Sequence, residues 1–493
     1  MRAEVKLKAV NREQTMLAHI YIDELIGTDH KARAIWELAG RMNLSGFEEP
    51  LKTRQGEAGR AAWEPRLLVS IWVYAYSEGI SSAREIERRM EWEPGLQWLG
   101  GLDKVNHHTL SDFRVEHRKA LDDLFTQLLA MLQSGGLLSL ERVMHDGTKI
   151  RAQAGSDTFR REKTLREHLA DARRVVKSMG DPRAEPGERD RREAARQRAA
   201  REREERLDQA VKEWEKLAAE QSDKEKKQLR VSQTEPEARR MKHGDNAIAP
   251  SYNAQLTTSA DNKIIVGAHL TQCSSDAQSL LPSLEQVEER LRETPAQVVV
   301  DGGFTNRDNI RTCAEKKIDL VGSLPEPEER SAAAMKAMGI DPAFAPHHFT
   351  ILQPGKQLQC PAGCILTWVR QSRKRDDVYQ QFQARGEDCR ACQHQKQCCP
   401  SKPAEGRTVS IRIEEQADVA AFRNKMKDPA LQAVYRQRGP VAEFPNAWIK
   451  DKLGLRKFRV RGLIKAGGEL LWACLTYNIM QLLRLTRHPP VTA

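Results

Sequence analysis

The chain has 493 residues, which at ~150 residues per domain suggests about three folding units and excludes a single small module. Hydrophobic residues make up 39% of it, and Lys plus Arg number 80 against 69 Asp plus Glu, for a formal charge of +11. That balance favours a polyanionic partner, nucleic acid first, and no apolar run approaches the ~18 residues of a membrane span. The opening MRAEVKLKAVNREQ carries no apolar signal region, so a cytoplasmic location is expected, where the nine cysteines should not pair as disulfides.

Residues 1–135 read as helices with short loops. PRLLVSIWVYAY (65–76) is a strongly apolar helix, and Ser81 or Ser82 caps the next, AREIERRM, with Glu85 three residues after Ser82 as in a capping box. Leu110, Phe113, His117, Leu121, Leu124, Leu128 and Leu132 recur at steps of three, four and seven, which predicts one face of a single long helix. The helix pair around Glu78–Gly79 suits either a helix-turn-helix DNA reader or an ordinary bundle pair.

Residues 136–152 hold a first strand (SLERVMHDGTKIRA, 139–152). Residues 153–244 form a charged helical insertion. Its stripe of Leu165, Leu169, Ala172, Val176 and Met179 answers a second one of Leu207, Val211, Trp214 and Ala218, with turns at Gly180–Asp181–Pro182 and Pro186–Gly187. Most of its Arg and Glu residues make a solvated face. The core resumes over 245–350, with strands at 252–257 and 264–270 joined through Ala260–Asp261–Asn262. A helix (279–292), a strand (296–301), a helix (307–317) and a strand (318–324) follow. This order predicts an α+β or α/β multidomain protein with a mixed sheet flanked by helices. Residues 351–408 are a Cys-rich insertion, and 409–493 a helical part ending in an amphipathic segment, GGELLWACLTYNIMQLL (467–483).

Three acids stand out by position. Asp146 lies in MHDGTKI, Asp301 ends VVVD before Gly302–Gly303, where open α/β sheets place ligand sites, and Glu443 lies in GPVAEFPNAWIK. Converging within a few ångströms, these carboxylates would be hard oxygen ligands for Mg²⁺. Two such ions ~4 Å apart would serve phosphodiester displacement on a nucleic acid. His145, beside Asp146, falls on the opposite sheet face by strand alternation.

MHDGTKI, VVVDGGF and Tyr435-x2-Arg438-x4-Glu443-x6-Lys450 resemble the three blocks of DDE transposases of bacterial insertion sequences, in the branch with a Tyr-Arg-Glu-Lys signature. The N-terminal RLLVSIWVYAYSEGISSAREIERRM and HHTLSDFR, the insertion before YNAQ and the terminal helix match that layout across essentially the whole chain. The resemblance implies a ribonuclease H-like fold with Asp146, Asp301 and Glu443 as catalytic ligands of two Mg²⁺ ions, Mn²⁺ being a substitute. Tyr435, Arg438 and Lys450 would position DNA. It also implies a nucleoid-associated enzyme that binds terminal inverted repeats, nicks them, joins the 3′-hydroxyl ends to target DNA, and works as a homodimer or larger assembly. Two features depart from the pattern. The commoner signature leaves three residues between Arg and Glu, not four, so Arg436 is a rival for Arg438. Pro445 would also kink the helix on which Glu443 and Lys450 share a face.

The cysteines make a second constellation. Cys360-x3-Cys364 and Cys389-x2-Cys392 are two close pairs 24 residues apart, with Cys398 and Cys399 as alternates, and they match a structural Zn²⁺ site in a zinc-ribbon-like module. The block looks too poor in apolar residues to bury free thiols. Cys273, Cys313 and Cys474 read as core residues, and Trp214, Trp368 and Trp472 as packing residues. Two rival functions remain on sequence alone: a non-catalytic zinc-containing DNA-binding regulator, or a ribonuclease H-like nuclease without strand transfer.

Overall fold

The computed structural model describes residues 19–49, 61–179, 191–324, 334–374, 377–401, 403–414 and 417–487. The chain divides into two units, one of residues 1–128, 449–460 and 464–493, the other of residues 129–448 and 461–463.

The first unit is helical. Its helix Pro65–Ser77 begins on a proline, whose fixed φ suits a first turn, and is buried continuously from Leu67 to Tyr76, as an apolar sequence without a polar stripe requires. Ser82 caps Ala83–Arg89 by accepting from the Glu85 N–H at 3.4 Å, while the Glu85 carboxylate turns to Arg88 and Arg89. The single long helix expected from Leu110 onward is two, His107–Glu116 and Arg118–Ser134. The chain bends at His117 (φ −99°, ψ 41°), whose ring packs against Phe47 and Phe113. No Gly or Pro marks the bend, and both helices bury the same apolar stripe, so periodicity alone runs through it.

The terminal helix Leu463–Arg487 also differs from expectation. Every residue from Gly468 to Ile479 is buried, so it is a central helix rather than an amphipathic one. Its polar letters are accommodated inside: Thr476 donates to the Trp472 carbonyl. Glu469 accepts the Arg459 N–H at 2.7 Å and the Val460 N–H at 3.3 Å, and faces the buried Arg114 at 3.4 Å. Arg114 also donates to the Ser81 carbonyl at 2.7 Å and lies 4.6 Å from the Trp72 ring.

The second unit is built on a mixed sheet. Its strands are β1 (Arg142–Arg151), β4 (Arg239–Lys242), β5 (Ile248–Ser259), β6 (Ile265–Thr271), β7 (Gln297–Val300) and β8 (Asp319–Gly322), in the order β4-β5-β1-β7-β8 with β6 also on β5. β1 runs antiparallel to β5 and parallel to β7, and β7 parallel to β8. Val298, Val299 and Val300 are buried on both faces, as a continuous apolar run predicts. β4 and the two-residue pair β2 (Phe159–Arg160) and β3 (Val231–Ser232) were not expected, being too short to show a period of two.

The charged insertion folds as helices Glu162–Ser178 and Arg191–Ala219, which bury Leu165, Leu169 and Ala172 against Leu207, Val211, Trp214 and Ala218. Arg166–Glu215 and Arg173–Asp208 bridge them. The expected turns at 180–182 and 186–187 lie outside the described residues.

The Cys-rich block belongs to an antiparallel sheet: β9 (Thr350–Gln353), β10 (Gln357–Gln359), β11 (Ile365–Lys374), β12 (Asp377–Ala384) and β13 (Thr408–Glu414). It has a core of its own, formed by Phe349, Leu358, Leu366, Phe382, Ala384, Cys389 and Val409, so the expectation that too few apolar residues are present there is corrected. Cys313 and Cys474 are buried, but Cys273 is exposed in the loop after β6. Trp214 and Trp472 are packing residues, whereas Trp368 is 46% exposed on β11. Among the described residues no helix is long and apolar enough to cross a membrane.

Candidate active site

Strand alternation puts Met144, Asp146 and Thr148 on one face of β1 and His145, Gly147 and Lys149 on the other. On the first face Met144, Val299 and Val321 pack under Val441 and Ala442, which fixes the segment carrying Glu443 over the sheet. Asp146 therefore sits at the edge of that covered surface, with its side chain 16% exposed. Asp301 follows the last residue of β7, where its Oδ1 accepts the N–H of Gly303 at 2.7 Å and of Phe304 at 3.3 Å. A side chain at Gly303 would press on that oxygen, its Cβ 3.0 Å away.

Glu443 ends a π-helical segment, Gly439–Glu443, which runs into the helix Phe444–Asp451. This wide turn accounts for the first of the two departures of the sequence. In a π-turn residues i and i+5, not i and i+4, stand one above the other, so the extra residue between Arg438 and Glu443 leaves them on one face. Pro445 falls in the first turn of the helix that follows, where a missing N–H is tolerated. Arg438 consequently lies between two acids, Nη1 3.8 Å from Asp146 Oδ1 and Nη2 3.5 Å from Glu443 Oε1. Arg436 is exposed. Tyr435 packs against the Met144–Val299–Val321 cluster, and Lys450 lies in the last turn of Phe444–Asp451, on the part of the chain that belongs to the first unit.

Asp146 feels three of these groups. Burial raises its carboxyl to about 6, Arg438 opposes the rise, and the charges of Asp301 and Glu443 add to it. The two other acids are thus near enough to act on Asp146. Even so, among the described residues no three His, Cys, Asp or Glu side chains form a group that could hold a metal ion.

The carboxyl's rise from 3.8 to about 6 means that the folded state binds this proton more tightly than the unfolded one. The resulting cost is absent below pH ~4, grows between ~4 and ~6 and is complete above ~6, at up to ~3 kcal/mol. Asp146→Asn removes it and can still accept from a neighbour. In chelator the variant should melt above the native chain at pH 8, with the gap closing towards pH 4, as a melting series against pH would record.

One neighbour was not foreseen. Asn446 donates its Nδ2–H to Asp146 Oδ2 at 2.9 Å. Its position one turn after Glu443 is the signal that could have found it. On the reverse face the fully buried His145 is held between Thr257 Oγ1 (2.9 Å) and Gln255 Oε1 (3.0 Å). Burial pushes it down to about 3, so it stays neutral, and its backing role agrees with its expected side of the strand.

Residues 21–116 match a family described as Transposase domain (DUF772), and residues 359–483 one described as Transposase DDE domain. Both matched families are transposase domains, and together they support a DDE transposase. The second match contains Arg438, Glu443 and all six cysteines of the insertion, whereas Asp146 and Asp301 lie outside both. No curated protein matches this transposase. A cryo-EM structure of a piggyBac transposase synaptic complex with hairpin DNA is similar over 94% of this chain and 77% of that one, at 9% identity and a TM-score of 0.34, too slight a likeness to carry an argument.

In the transposase's second sheet, Cys360, Cys364, Cys389, Cys392, Cys398 and Cys399 all line one cavity of about 20 Å³. The Cys364 N–H points at Cys360 Sγ (3.2 Å) and the Arg407 N–H at Cys389 Sγ (3.3 Å). Burial, reinforced by the Cys360 thiol, raises Cys364 to about 11, and burial raises Cys398 to about 11, so both are neutral thiols at pH 7.

Proposed function

We propose that this transposase acts on the DNA ends of an insertion sequence. It binds the terminal inverted repeats, nicks them by two-metal-ion phosphodiester hydrolysis, and joins the freed 3′-hydroxyl ends to target DNA. The observation that carries the reading is the position of Asp146, which is within electrostatic reach of both Asp301 and Glu443 and shares Arg438 with the latter. The sheet order, with β1 central, β7 and β8 parallel to it on one side, and β5 antiparallel to it on the other with β6 antiparallel to β5, supports a ribonuclease H-like core.

The donor set suits divalent ions. Arg438 is the cation beside Asp146 and Glu443, and the charges of Asp301 and Glu443 add to the rise that burial imposes on Asp146. Asp146, Asp301 and Glu443 would hold Mg²⁺, with Mn²⁺ as a substitute, and bound ions would activate the attacking oxygen and relieve charge on the leaving one. Arg438 sits among the acids and can meet a backbone phosphate with a planar pair of donors. Tyr435 supports it by packing beneath the same segment, and Lys450 is assigned to DNA. Residues 1–135 would serve DNA binding and assembly of a homodimer or larger complex that holds two ends together.

We assign structural Zn²⁺ to Cys360, Cys364, Cys389 and Cys392, with Cys398 or Cys399 as alternates. Six sulfurs around a cavity of about 20 Å³ support a single ion, since such a void has room for roughly one small particle. Ligation would require the neutral thiols to lose their protons. Elemental analysis should find one zinc per chain, released when Cys389→Ser and Cys392→Ser are combined.

The test of function is cleavage of a duplex carrying the element's ends. Mg²⁺-dependent nicks at the ends, followed by covalent joining to target DNA, are expected. Nicks without joined product would leave a nuclease, and binding without nicks a regulator. Binding should weaken steeply with salt, by roughly tenfold or more for a few-fold increase.

A further inference from the structure

Asn446 stands three residues after Glu443 in the helix Phe444–Asp451 and is 7% exposed. Its amide is used on one side only: Nδ2 donates to Asp146 Oδ2 at 2.9 Å, while Oδ1 is buried and has no hydrogen-bond partner. An unmatched oxygen of that kind destabilises a fold, and an apolar residue of the same size would remove the cost. The bond also separates the roles of the two Asp146 oxygens. Oδ2 is engaged by the amide, whereas Arg438 Nη1 stands 3.8 Å from Oδ1, too far for a hydrogen bond, and the Gly147 N–H also bonds the carboxyl.

We propose that Asn446 is a positioning residue of the active site: it holds Asp146 by Oδ2 so that Oδ1 is presented to a divalent cation, and its own Oδ1 accepts a hydrogen bond from water entering with that cation. This rests on the assignment of Asp146 as a cation ligand. An amide suits the task better than a carboxylate, since it offers a donor to Asp146 without adding a fourth negative charge. Unlike a lysine or arginine, it supplies no positive charge that would compete with the ion. Groups that orient a metal-binding carboxylate in this way typically change metal affinity ~10–100-fold when removed.

The experiment is Mn²⁺ titration of the full chain, followed by loss of the free-ion signal in electron paramagnetic resonance, with melting curves recorded in chelator. Native protein, Asp301→Asn and Asn446→Leu are compared. Asn446→Leu removes both the unmatched Oδ1 and the donor to Asp146 Oδ2, so it is expected to melt in chelator close to the native temperature and yet to bind Mn²⁺ ~10–100-fold more weakly. A purely structural role predicts the reverse, a lower melting temperature with native affinity, and that result overturns the proposal. Should the leucine variant fail to fold, Asn446→Ala carries the same readout, with weakened binding expected and unchanged binding fatal. If native protein binds Mn²⁺ no better than Asp301→Asn does, the assignment of the acids falls first. If native protein binds and Asn446→Leu binds equally, the acids stand and the role of Asn446 alone is lost.

Discussion

Asp301→Asn is expected to leave the transposase folded and to lower Mg²⁺-dependent cleavage of end DNA by ~10²–10³-fold or more, the scale on which single electrostatic contributors to phosphoryl and acyl transfer act. The structural argument is local. Asp301 Oδ1 accepts the N–H groups of Gly303 and Phe304, and the amide oxygen of asparagine can accept both. The turn that follows β7 therefore survives, and what is lost is one negative charge beside Asp146. Melting in chelator should be close to native, so activity and stability separate cleanly. Cleavage by the variant at the native rate would mean that the chemistry lies elsewhere.

The largest stability effect should come from the other unit. Glu469→Leu is predicted to destabilise the chain by ~3–5 kcal/mol, because it strands the buried Arg114 guanidinium and leaves the Arg459 and Val460 N–H groups without their acceptor. The pair itself is not what stabilises the helices. Its desolvation roughly offsets its attraction, so Arg114→Met combined with Glu469→Leu should recover much of the loss, although the two backbone N–H groups stay unanswered. A denaturant series on native, single and double variants gives the coupling between the two positions. Additive losses would show that Arg114 depends on its Ser81 and Trp72 contacts instead.

How far the sequence carried these results depended on the range of the signal. The apolar helix at 65–76, the paired stripes of the insertion and the triple valine of β7 were legible because burial demands a repeating or unbroken apolar pattern, and each was found in place except that Val176 and Met179 lie outside the buried cluster. The break at His117 and the full burial of the terminal helix were not legible. The first has no breaker residue, and the second hides polar residues whose partners are distant in the chain. The second sheet was read only as cysteines, since thiol spacing stood out more than the modest alternation of its strands. In the site, Asp146 and Asp301 are legible as acids followed by glycine, and strand alternation puts His145 on the opposite face, where it is buried. Asn446 escaped because an asparagine in a helix has no chemistry of its own until its neighbour across 300 residues is known.

The π-turn at Gly439–Glu443 has a consequence for how such chains are compared. Inserting one residue into a regular α-helix rotates everything beyond it by ~100° and would swing Glu443 away from the sheet. A local widening absorbs the insertion, so the spacing written in the letters changes while the angular position of the carboxylate does not. Two relatives could therefore differ by a single codon between arginine and glutamate and still superpose their reactive groups, and a search that counts residues at fixed intervals would pass over one of them.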